Sequence, residues 1–251
     1  MTQVVTSVGD DGVARLALGG EETLNALDDG VVSDFGRALS AVLADPRVRV
    51  VVVEGGRRSF SVGGDLAMLA EMHHEVVGGA GEAVVSRLRA NADVVHELLT
   101  ASTPTIALVE GYCIGAGMAI AAACDIRIGS PRATFDTAYL SVGLGSDFGL
   151  GWLLSRLCGV SQATALLLSP GRISADHAHR IGLLTEVHDD ARAQVAALAA
   201  RIAGYPEAAV AAMKDNVRAA SGQGFAEYAD GEARRFVETL AAASSFGAPR
   251  T

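Results

Sequence analysis

Residues 104–123 read PTIALVEGYCIGAGMAIAAA. The apolar run Thr105–Val109 predicts a buried strand, and the small residues of Gly115–Ala123 predict a closely packed helix. Glycines at 111, 115 and 117 let the connecting backbone approach its neighbours closely. Because free backbone N–H groups collect where a helix begins, such a turn favours an anion or a developing oxyanion. From the pattern alone, turn formation without any ligand explains the glycines equally well.

A second glycine turn has the same arrangement. Ser61-Val62-Gly63-Gly64-Asp65 lies between a predicted strand and a predicted helix. The nearly continuous β-branched run Val48–Val53 precedes it and is typical of a strand buried on both faces. Near the start, Val4–Val8 and Val13–Leu18 flank Gly-Asp-Asp-Gly and predict a hairpin. The repeated strand–strand–helix order predicts an α/β fold with one catalytic domain.

Helical periodicity marks several further segments. Apolar residues at helical spacing predict helices over Asp28–Ala44, Glu82–Thr100 and Gly149–Leu157. The chain is mostly helical after Gly149, and Gly78–Gly81 predicts a mobile loop. We expect residues 1–190 to form the catalytic core and residues 191–251 a C-terminal helical region, both within one continuous functional unit.

Composition excludes several classes of function. The 251 residues carry a net charge of −9, which argues against nucleic acid or an anionic membrane as the main partner. Lys214 is the only lysine and is followed by Asp215, so there is no P-loop. Three widely spaced cysteines predict no disulfide framework and no metal site. Without a signal-peptide pattern or a membrane-length apolar run, we expect a cytoplasmic protein.

Two other enzyme motifs are also unsupported. A dinucleotide fingerprint at the 115–117 turn would need a small residue where Ile120 stands, and an acidic residue about twenty positions further on is missing. No Gly-x-Ser-x-Gly nucleophile elbow occurs in the sequence.

Eight short motifs do fit one family. They occur in order as Leu24–Leu27, Ser59–Leu66, Pro104–Tyr112, Gly115–Gly117, Ala123–Arg127, Phe135, Gly143-Leu144, and Arg172–Ala175 with Ile181–Leu183. In this order they resemble the crotonase superfamily, also called the enoyl-CoA hydratase/isomerase family. The resemblance implies a spiral of ββα units with a C-terminal helical trimerisation region. It also implies an acyl-CoA thioester substrate and a homotrimer or a dimer of trimers.

The same resemblance implies where the ligand binds. The backbone amides of Gly64 and Ala116 would form an oxyanion hole for a thioester enolate, and each such donor is worth roughly 3–4 kcal/mol. Contacts to coenzyme A would come from six residues: Ala26, Arg58, Ser61, Gly63, Asp65 and Leu66. Arg57 and Lys214 are further candidates for a phosphate contact. Coenzyme A enters as part of the substrate, and we expect no tightly bound cofactor and no metal.

The expected proton-transfer groups depart from the hydratase pattern. The two glutamates of the family's hydratases map to Ala119 and Tyr139. Alanine cannot move a proton, and tyrosine, with an ordinary pKa near 10, is a poor base at neutral pH. Related isomerases and dehalogenases carry an aspartate where this chain has Asp147. Burial beside Leu144, Phe148 and Trp152 would raise its pKa. Without the resemblance, Asp147 is better explained as an N-cap of the following helix.

We therefore expect an enoyl-CoA isomerase of fatty acid metabolism that catalyses a 1,3-proton shift. The alternatives are lyase, hydratase, hydrolase or decarboxylase chemistry on a coenzyme A thioester, with a water held by Asp147 or Tyr139, and a non-catalytic acyl-CoA binding protein. Met68, Leu69, Met72 and Trp152 are candidates to line the acyl pocket, although a place in the core is the better explanation for each one taken singly. His73 and His74 are expected at the surface or over the pocket.

Overall fold

The computed structural model describes residues 1–20 and 22–243. One sheet has the strand order β1-β2-β3-β5-β7-β10, formed by β1 (Gln3–Val8), β2 (Val13–Gly19), β3 (Val50–Glu54), β5 (Thr105–Val109), β7 (Ile126–Gly129) and β10 (Glu186–Val187). A second sheet has the order β4-β6-β8-β9, formed by β4 (Ser59–Ser61), β6 (Tyr112–Ile114), β8 (Thr134–Asp136) and β9 (Ile173–Ser174). Strands β1 and β2 are antiparallel, and β2, β3, β5, β7 and β10 run parallel.

The helices surround these sheets. They are α1 (Asp29–Ala44), α2 (Leu66–Val77), α3 (Gly81–Thr100), α4 (Ala116–Ala123), α5 (Leu150–Cys158), α6 (Val160–Leu168), α7 (Ala175–Arg180), α8 (Ala191–Ala203), α9 (Glu207–Ala220) and α10 (Phe225–Ala242). The predicted helices are present with ends shifted by one or two residues. Only Gly78–Ala80 joins α2 to α3, so the loop predicted there is a short connection between helices.

The repeat is a strand in each sheet followed by a helix. The units β3-β4-α2 and β5-β6-α4 have this form, and β7-β8 continues it into a 3-10 turn at Tyr139–Val142. The α/β fold of ββα units and the C-terminal helical region are confirmed. Several short strands were not predicted: β6 lies inside the glycine-rich segment 111–117, and β9 and β10 lie in the part after Gly149 that was predicted to be mostly helical. Strand β6 bears on the site. Its pairing with β4 brings the two glycine turns side by side.

The central strands are buried on both faces, as their sequence predicts. Val51 and Val53 pack in the cluster that contains residues of α1, α3 and α4, whereas Val50 and Val52 face residues of α8. Strand β3 extends to Glu54, whose buried carboxylate receives hydrogen bonds from Arg192 at 3.0 Å and Arg15 at 3.4 Å. This pairing satisfies the charge at the strand end.

The three cysteines are free thiols. Cys113 and Cys124 are buried, and burial raises the pKa of Cys124 to about 12. Across residues 1–20 and 22–243, no single helix is long and apolar enough to cross a membrane. Taken together, α8 and α9 have the length and the apolar composition of a membrane span, but a bend of 110° separates them.

Helices α9 and α10 hold no fully buried residue and pack against each other. Helix α9 is anchored to the core by Lys214. The Lys214 ammonium lies 2.6 Å from the Asp125 carboxylate and donates to the Thr103 carbonyl at 3.0 Å. Asp125 in turn accepts from the backbone N–H of Thr105. The expectation that Lys214 is available for a phosphate is therefore wrong, since its ammonium is already paired and its side chain is nearly buried.

We expect Lys214→Met to lower the free energy of unfolding by about 1–2 kcal/mol, because it leaves the Asp125 carboxylate without its cation. Methionine keeps the apolar stem, so the change isolates the charge. Urea unfolding measures the effect. The matched control is Arg234→Met on the exposed face of α10, and equal losses in the two variants would contradict the anchoring role.

Candidate functional site

The two glycine turns touch each other. Gly63 has φ = +83°, and a Cβ built there would lie 2.8 Å from the Ile114 carbonyl oxygen and 3.4 Å from the Ala116 nitrogen. Gly115, just before α4, has φ = +52°. Residues other than glycine rarely adopt these φ angles, and there is no space for a side chain at Gly63. Glycine is therefore required for the backbones to meet.

Two backbone N–H groups at this contact are available as donors. Among the hydrogen bonds of residues 1–20 and 22–243, the N–H groups of Gly64 and Ala116 donate none. The preceding amides are used, because Gly63 donates to the Ser61 hydroxyl and Gly115 donates to the Asp136 carbonyl, each at 3.0 Å. Ala116 is also the first residue of α4, where the helix dipole favours negative charge.

Gly64 and Ala116 both line a cavity of about 480 Å³. Its apolar wall is formed chiefly by α2 and α3, through Met68, Leu69, Met72, Val84 and Leu88. Polar and ionisable residues in the lining include Asp28, Asp29, His73 and Asn91, together with Tyr139 and Asp147. The chemistry of the lining suits an apolar chain with a polar group at the two amides.

One expected pocket residue lies elsewhere. Trp152 is half exposed on α5 and does not line the cavity, so its assignment to the pocket is wrong. The Arg156 guanidinium instead lies over its ring, with Cζ 4.3 Å from the ring centroid. Met68, Leu69 and Met72 do line the cavity, as does His73.

A hydrogen-bonded pair faces the cavity beside the second turn. Tyr139 donates its hydroxyl to Asp147 Oδ1 at 2.5 Å. A Cβ built on Gly115 would lie 3.9 Å from the Tyr139 hydroxyl, which places the pair next to the Ala116 amide. Burial raises the pKa of Asp147, while the hydrogen bond from Tyr139 acts in the opposite direction. Burial and the Asp147 charge both raise the pKa of Tyr139, so the phenol stays protonated.

Asp147 is not the N-cap of the next helix. Gly149, with φ = +69°, precedes α5, which has no side-chain cap. Leu150 donates its N–H to the main-chain carbonyl of Asp147 at 3.0 Å, whereas the carboxylate accepts from Tyr139. The N-cap explanation is therefore wrong.

Comparison with known proteins identifies the family. The family model "Enoyl-CoA hydratase/isomerase" matches residues 9–247. The chain belongs to the enoyl-CoA hydratase/isomerase family. It is 32% identical over 240 residues to the Mycobacterium tuberculosis protein named "Probable enoyl-CoA hydratase EchA14", covering 96% of this chain and 91% of that one.

Two further relatives of this enoyl-CoA hydratase/isomerase family member are informative. The 1,2-epoxyphenylacetyl-CoA isomerase of Escherichia coli is 32% identical over 190 residues, which cover 76% of this chain and 71% of that protein. The crystal structure of an enoyl-CoA hydratase from Polaromonas sp. JS666 superposes with a TM-score of 0.87 at 30% identity, covering 94% of this chain and 91% of that one. The chain is therefore similar both to proteins named as hydratases and to one named as an isomerase.

The two positions expected to hold hydratase glutamates have different surroundings. Ala119 is fully buried inside α4 and does not line the cavity. Tyr139 does line it. Asp147 lines the cavity as well, as do Asp28, which caps α1, and Asp29, the first residue of α1.

The expected coenzyme A contacts fall into two groups. Gly63 and Leu66 line the cavity, and Leu66 is largely exposed. Ala26 and Arg58 lie outside the lining, Arg58 at the exposed approach to β4. The side chain of Ser61 donates to the Asn25 carbonyl at 2.7 Å and accepts from Gly63, so it supports the turn.

Asp65 also has a structural task. Its carboxylate caps α2 by accepting from the N–H groups of Ala67 at 2.8 Å and Met68 at 3.1 Å. Its backbone N–H donates to the Leu27 carbonyl at 2.9 Å, so this amide is also in use. The coenzyme A contacts remain a prediction.

Asn25 belongs to the motif Leu24–Leu27, which was expected to contact coenzyme A, but its own structural role was not predicted: it holds the first turn in place. Its buried amide nitrogen donates to the carbonyls of Ser59 at 2.9 Å and Phe60 at 3.1 Å, and its oxygen accepts from Gly20 at 2.7 Å. Its φ of +59° is one that asparagine tolerates better than most residues. An asparagine in a loop before the glycine turn was the available signal.

No group of three or more histidine, cysteine, aspartate or glutamate side chains placed to hold a metal ion occurs in the part of the chain that the structure describes.

We expect Gly117→Ala to separate the two turns. Its Cβ would lie 2.5 Å from Ser61 Cβ and 3.0 Å from the Ser61 carbonyl oxygen, so the backbone has to move. Overpacking of this kind costs about 1–3 kcal/mol. The variant should lose both thermal stability and binding of a coenzyme A thioester, measured by calorimetry.

Gly151→Ala in α5 is the matched control. Its Cβ would meet its nearest atoms at ordinary distances of 3.6 and 3.8 Å. Alanine there should retain binding and raise helix stability slightly. Unchanged binding by the Gly117 variant would show that the contact between the turns is not needed for the ligand.

Proposed function

We propose that this protein is an enoyl-CoA isomerase that moves a double bond by a 1,3-proton shift. Membership of the enoyl-CoA hydratase/isomerase family supports a coenzyme A thioester as the substrate. The observation that carries the finer proposal is the Asp147 carboxylate, hydrogen-bonded to Tyr139 in the same cavity as two backbone amides that donate to no other group among the described residues.

The proposed reaction begins at the thioester carbonyl. The N–H groups of Gly64 and Ala116 donate to this oxygen and stabilise the negative charge that develops when the α-carbon loses a proton. Each preorganised donor contributes roughly 3–4 kcal/mol to such a transition state. Their rigidity follows from the contact between the turns, so no reorganisation is needed during the reaction.

Asp147 then serves as both base and acid. Its carboxylate takes the α-proton of a 3-enoyl thioester, and the electron pair of that C–H bond spreads over a dienolate. The resulting carboxylic acid returns the proton to the γ-carbon, which gives the 2-enoyl thioester. Burial raises the pKa of Asp147, which makes its carboxylate a stronger base than an exposed one. One carboxylate is sufficient because the reaction only moves a proton from the α-carbon to the γ-carbon.

Hydration is the second candidate, because the Mycobacterium tuberculosis relative is named a hydratase. It would require Asp147 to activate a water without the second carboxylate, since Ala119 is buried and apolar. Tyr139 is unsuited to this work as a base, because burial raises its pKa. Product mass separates the candidates: isomerisation leaves it unchanged, whereas hydration adds one water.

We also propose that the chain self-associates as a trimer or a dimer of trimers through its C-terminal helices. Large apolar side chains are exposed along α9 and α10, at Met213, Val217, Phe225, Phe236 and Val237. Exposed apolar faces of this kind mark interaction surfaces. Light scattering on the purified protein measures the mass. The cytoplasmic location stays a prediction.

We expect Asp147→Asn to reduce turnover of a 3-enoyl-CoA by at least about 100-fold, since the amide cannot accept the proton. Binding of the thioester should persist, because the two amides are untouched. Turnover is followed by chromatography and mass measurement of the product.

The matched control is Asp190→Asn, which keeps an N-cap for α8 because asparagine accepts the same bond from Ala193. It lies outside the cavity lining and should leave turnover unchanged. Full activity in the Asp147 variant would reject the base assignment. Tight binding without turnover of any thioester by the unaltered protein would instead identify an acyl-CoA binding protein.

A further inference from the structure

Unusual backbone angles flank the Tyr139–Asp147 pair. Ala138, just before Tyr139, has φ = +58°, and Phe148, just after Asp147, has φ = +50°. They are two of the four non-glycine residues with positive φ in residues 1–20 and 22–243. Such angles persist only where the surroundings impose them, and they cluster at functional sites.

Backbone hydrogen bonds hold both ends of this segment. Ala138 donates its N–H to the Asp136 carboxylate at 3.0 Å, and Leu144 donates to the Tyr139 carbonyl at 3.0 Å. At the other end, Leu150 donates to the Asp147 carbonyl. The phenol and the carboxylate are thus brought together by a backbone fixed on both sides.

We infer that Tyr139 is a positioning residue: its hydroxyl occupies Oδ1 of Asp147 and leaves Oδ2 as the oxygen that takes and returns the substrate proton. This inference rests on the proposed role of Asp147 as the base. Tyr139 keeps its own proton throughout the reaction. A single proton is transferred, first from the α-carbon to Oδ2 and then from Oδ2 to the γ-carbon.

The elements packed around Asp147 carry few other ionisable side chains. Helices α4 and α6 carry no ionisable side chain. Helix α5 carries Arg156, whose guanidinium lies on the Trp152 ring, and the half-buried thiol Cys158. Asp136 of β8 accepts from the Ala138 amide.

The remaining ionisable groups of the cavity lie on α1 and α2. Asp28 caps α1 through the Val31 amide, and Asp29 pairs with Arg87 at 3.0 Å. His73 lies on α2. None of these side chains hydrogen-bonds Asp147, which leaves the phenol of Tyr139 as the side-chain donor to it among the described residues.

The hydrogen bond has a definite effect on titration. A donor to the carboxylate stabilises its charged form and lowers the pKa of Asp147, against the larger effect of burial. Removing the donor must therefore raise the pKa of Asp147. Because the base acts as carboxylate, the acidic limb of the kcat/KM profile then moves to higher pH.

The experiment uses the full-length protein with the Tyr139→Phe substitution. Carbon-13 NMR of labelled aspartate carboxyls follows the titration of Asp147, whose signal is assigned by its loss in Asp147→Asn. We expect the pKa of Asp147 to rise by about one unit or more in Tyr139→Phe. We expect kcat/KM above both pKa values to fall about tenfold from lost orientation.

Tyr228→Phe is the matched control. Tyr228 also donates its hydroxyl to a carboxylate, that of Glu232 at 2.7 Å, but on the exposed helix α10. Its loss should move neither the Asp147 signal nor the acidic limb. Should Tyr139→Phe fail to fold, 3-fluorotyrosine at position 139 keeps the shape and donates more strongly, so the pKa of Asp147 should fall.

The titration needs no turnover, so it separates this inference from the proposed function. An unchanged Asp147 titration in the position-139 variants overturns the positioning role, even if Asp147→Asn is inactive. A shifted titration with full activity in Asp147→Asn would reject the base assignment, and with it the proton transfer assigned to Oδ2.

Discussion

The contact between two backbone turns determines the rest of the site. Gly63 lies so close to the Ile114 carbonyl and the Ala116 nitrogen that a side chain cannot be placed there. Pairing of β4 with β6 holds the turns in register, and the buried amide of Asn25 holds the first turn from behind. Two N–H groups are left without acceptors among the described residues as a result. The sheet thus holds two hydrogen-bond donors in fixed positions. Packing elsewhere in the fold offsets the free energy lost by leaving these N–H groups without acceptors.

Burial gives the carboxylate and the phenol different tasks. It raises the pKa of both Asp147 and Tyr139. For Asp147 this strengthens the base, whereas for Tyr139 it ensures that the hydroxyl remains a donor. The same buried environment therefore makes Asp147 a base and Tyr139 a permanent hydrogen-bond donor. The hydrogen bond between them limits how far the pKa of Asp147 rises.

Much of the fold was predictable because its central strands and glycine turns have strong local signals. The β-branched run before Glu54 and the apolar run Thr105–Val109 were predicted as strands, and both are buried strands. The positions of Gly64 and Ala116 followed from the family motifs. By contrast, β6 was missed because a strand of three residues inside a glycine-rich segment has no periodicity to detect.

Side-chain partners were harder to predict, because they depend on segments far apart in the sequence. Lys214 was expected to contact a phosphate, but it lies against Asp125, and Trp152 lies on the surface under Arg156. The pairing of Tyr139 with Asp147 spans only eight residues, but it requires left-handed backbone at Ala138 and Phe148, which neither residue type suggests.

The most direct test of the central claim is a crystal structure with a bound, unreactive acyl-CoA analogue. The account predicts that the thioester oxygen lies about 2.7–3.1 Å from the nitrogens of both Gly64 and Ala116. It also predicts that the α- and γ-carbons both lie about 3–3.5 Å from Oδ2 of Asp147. An acyl chain bound away from Asp147, or a thioester oxygen that contacts neither amide, would contradict it.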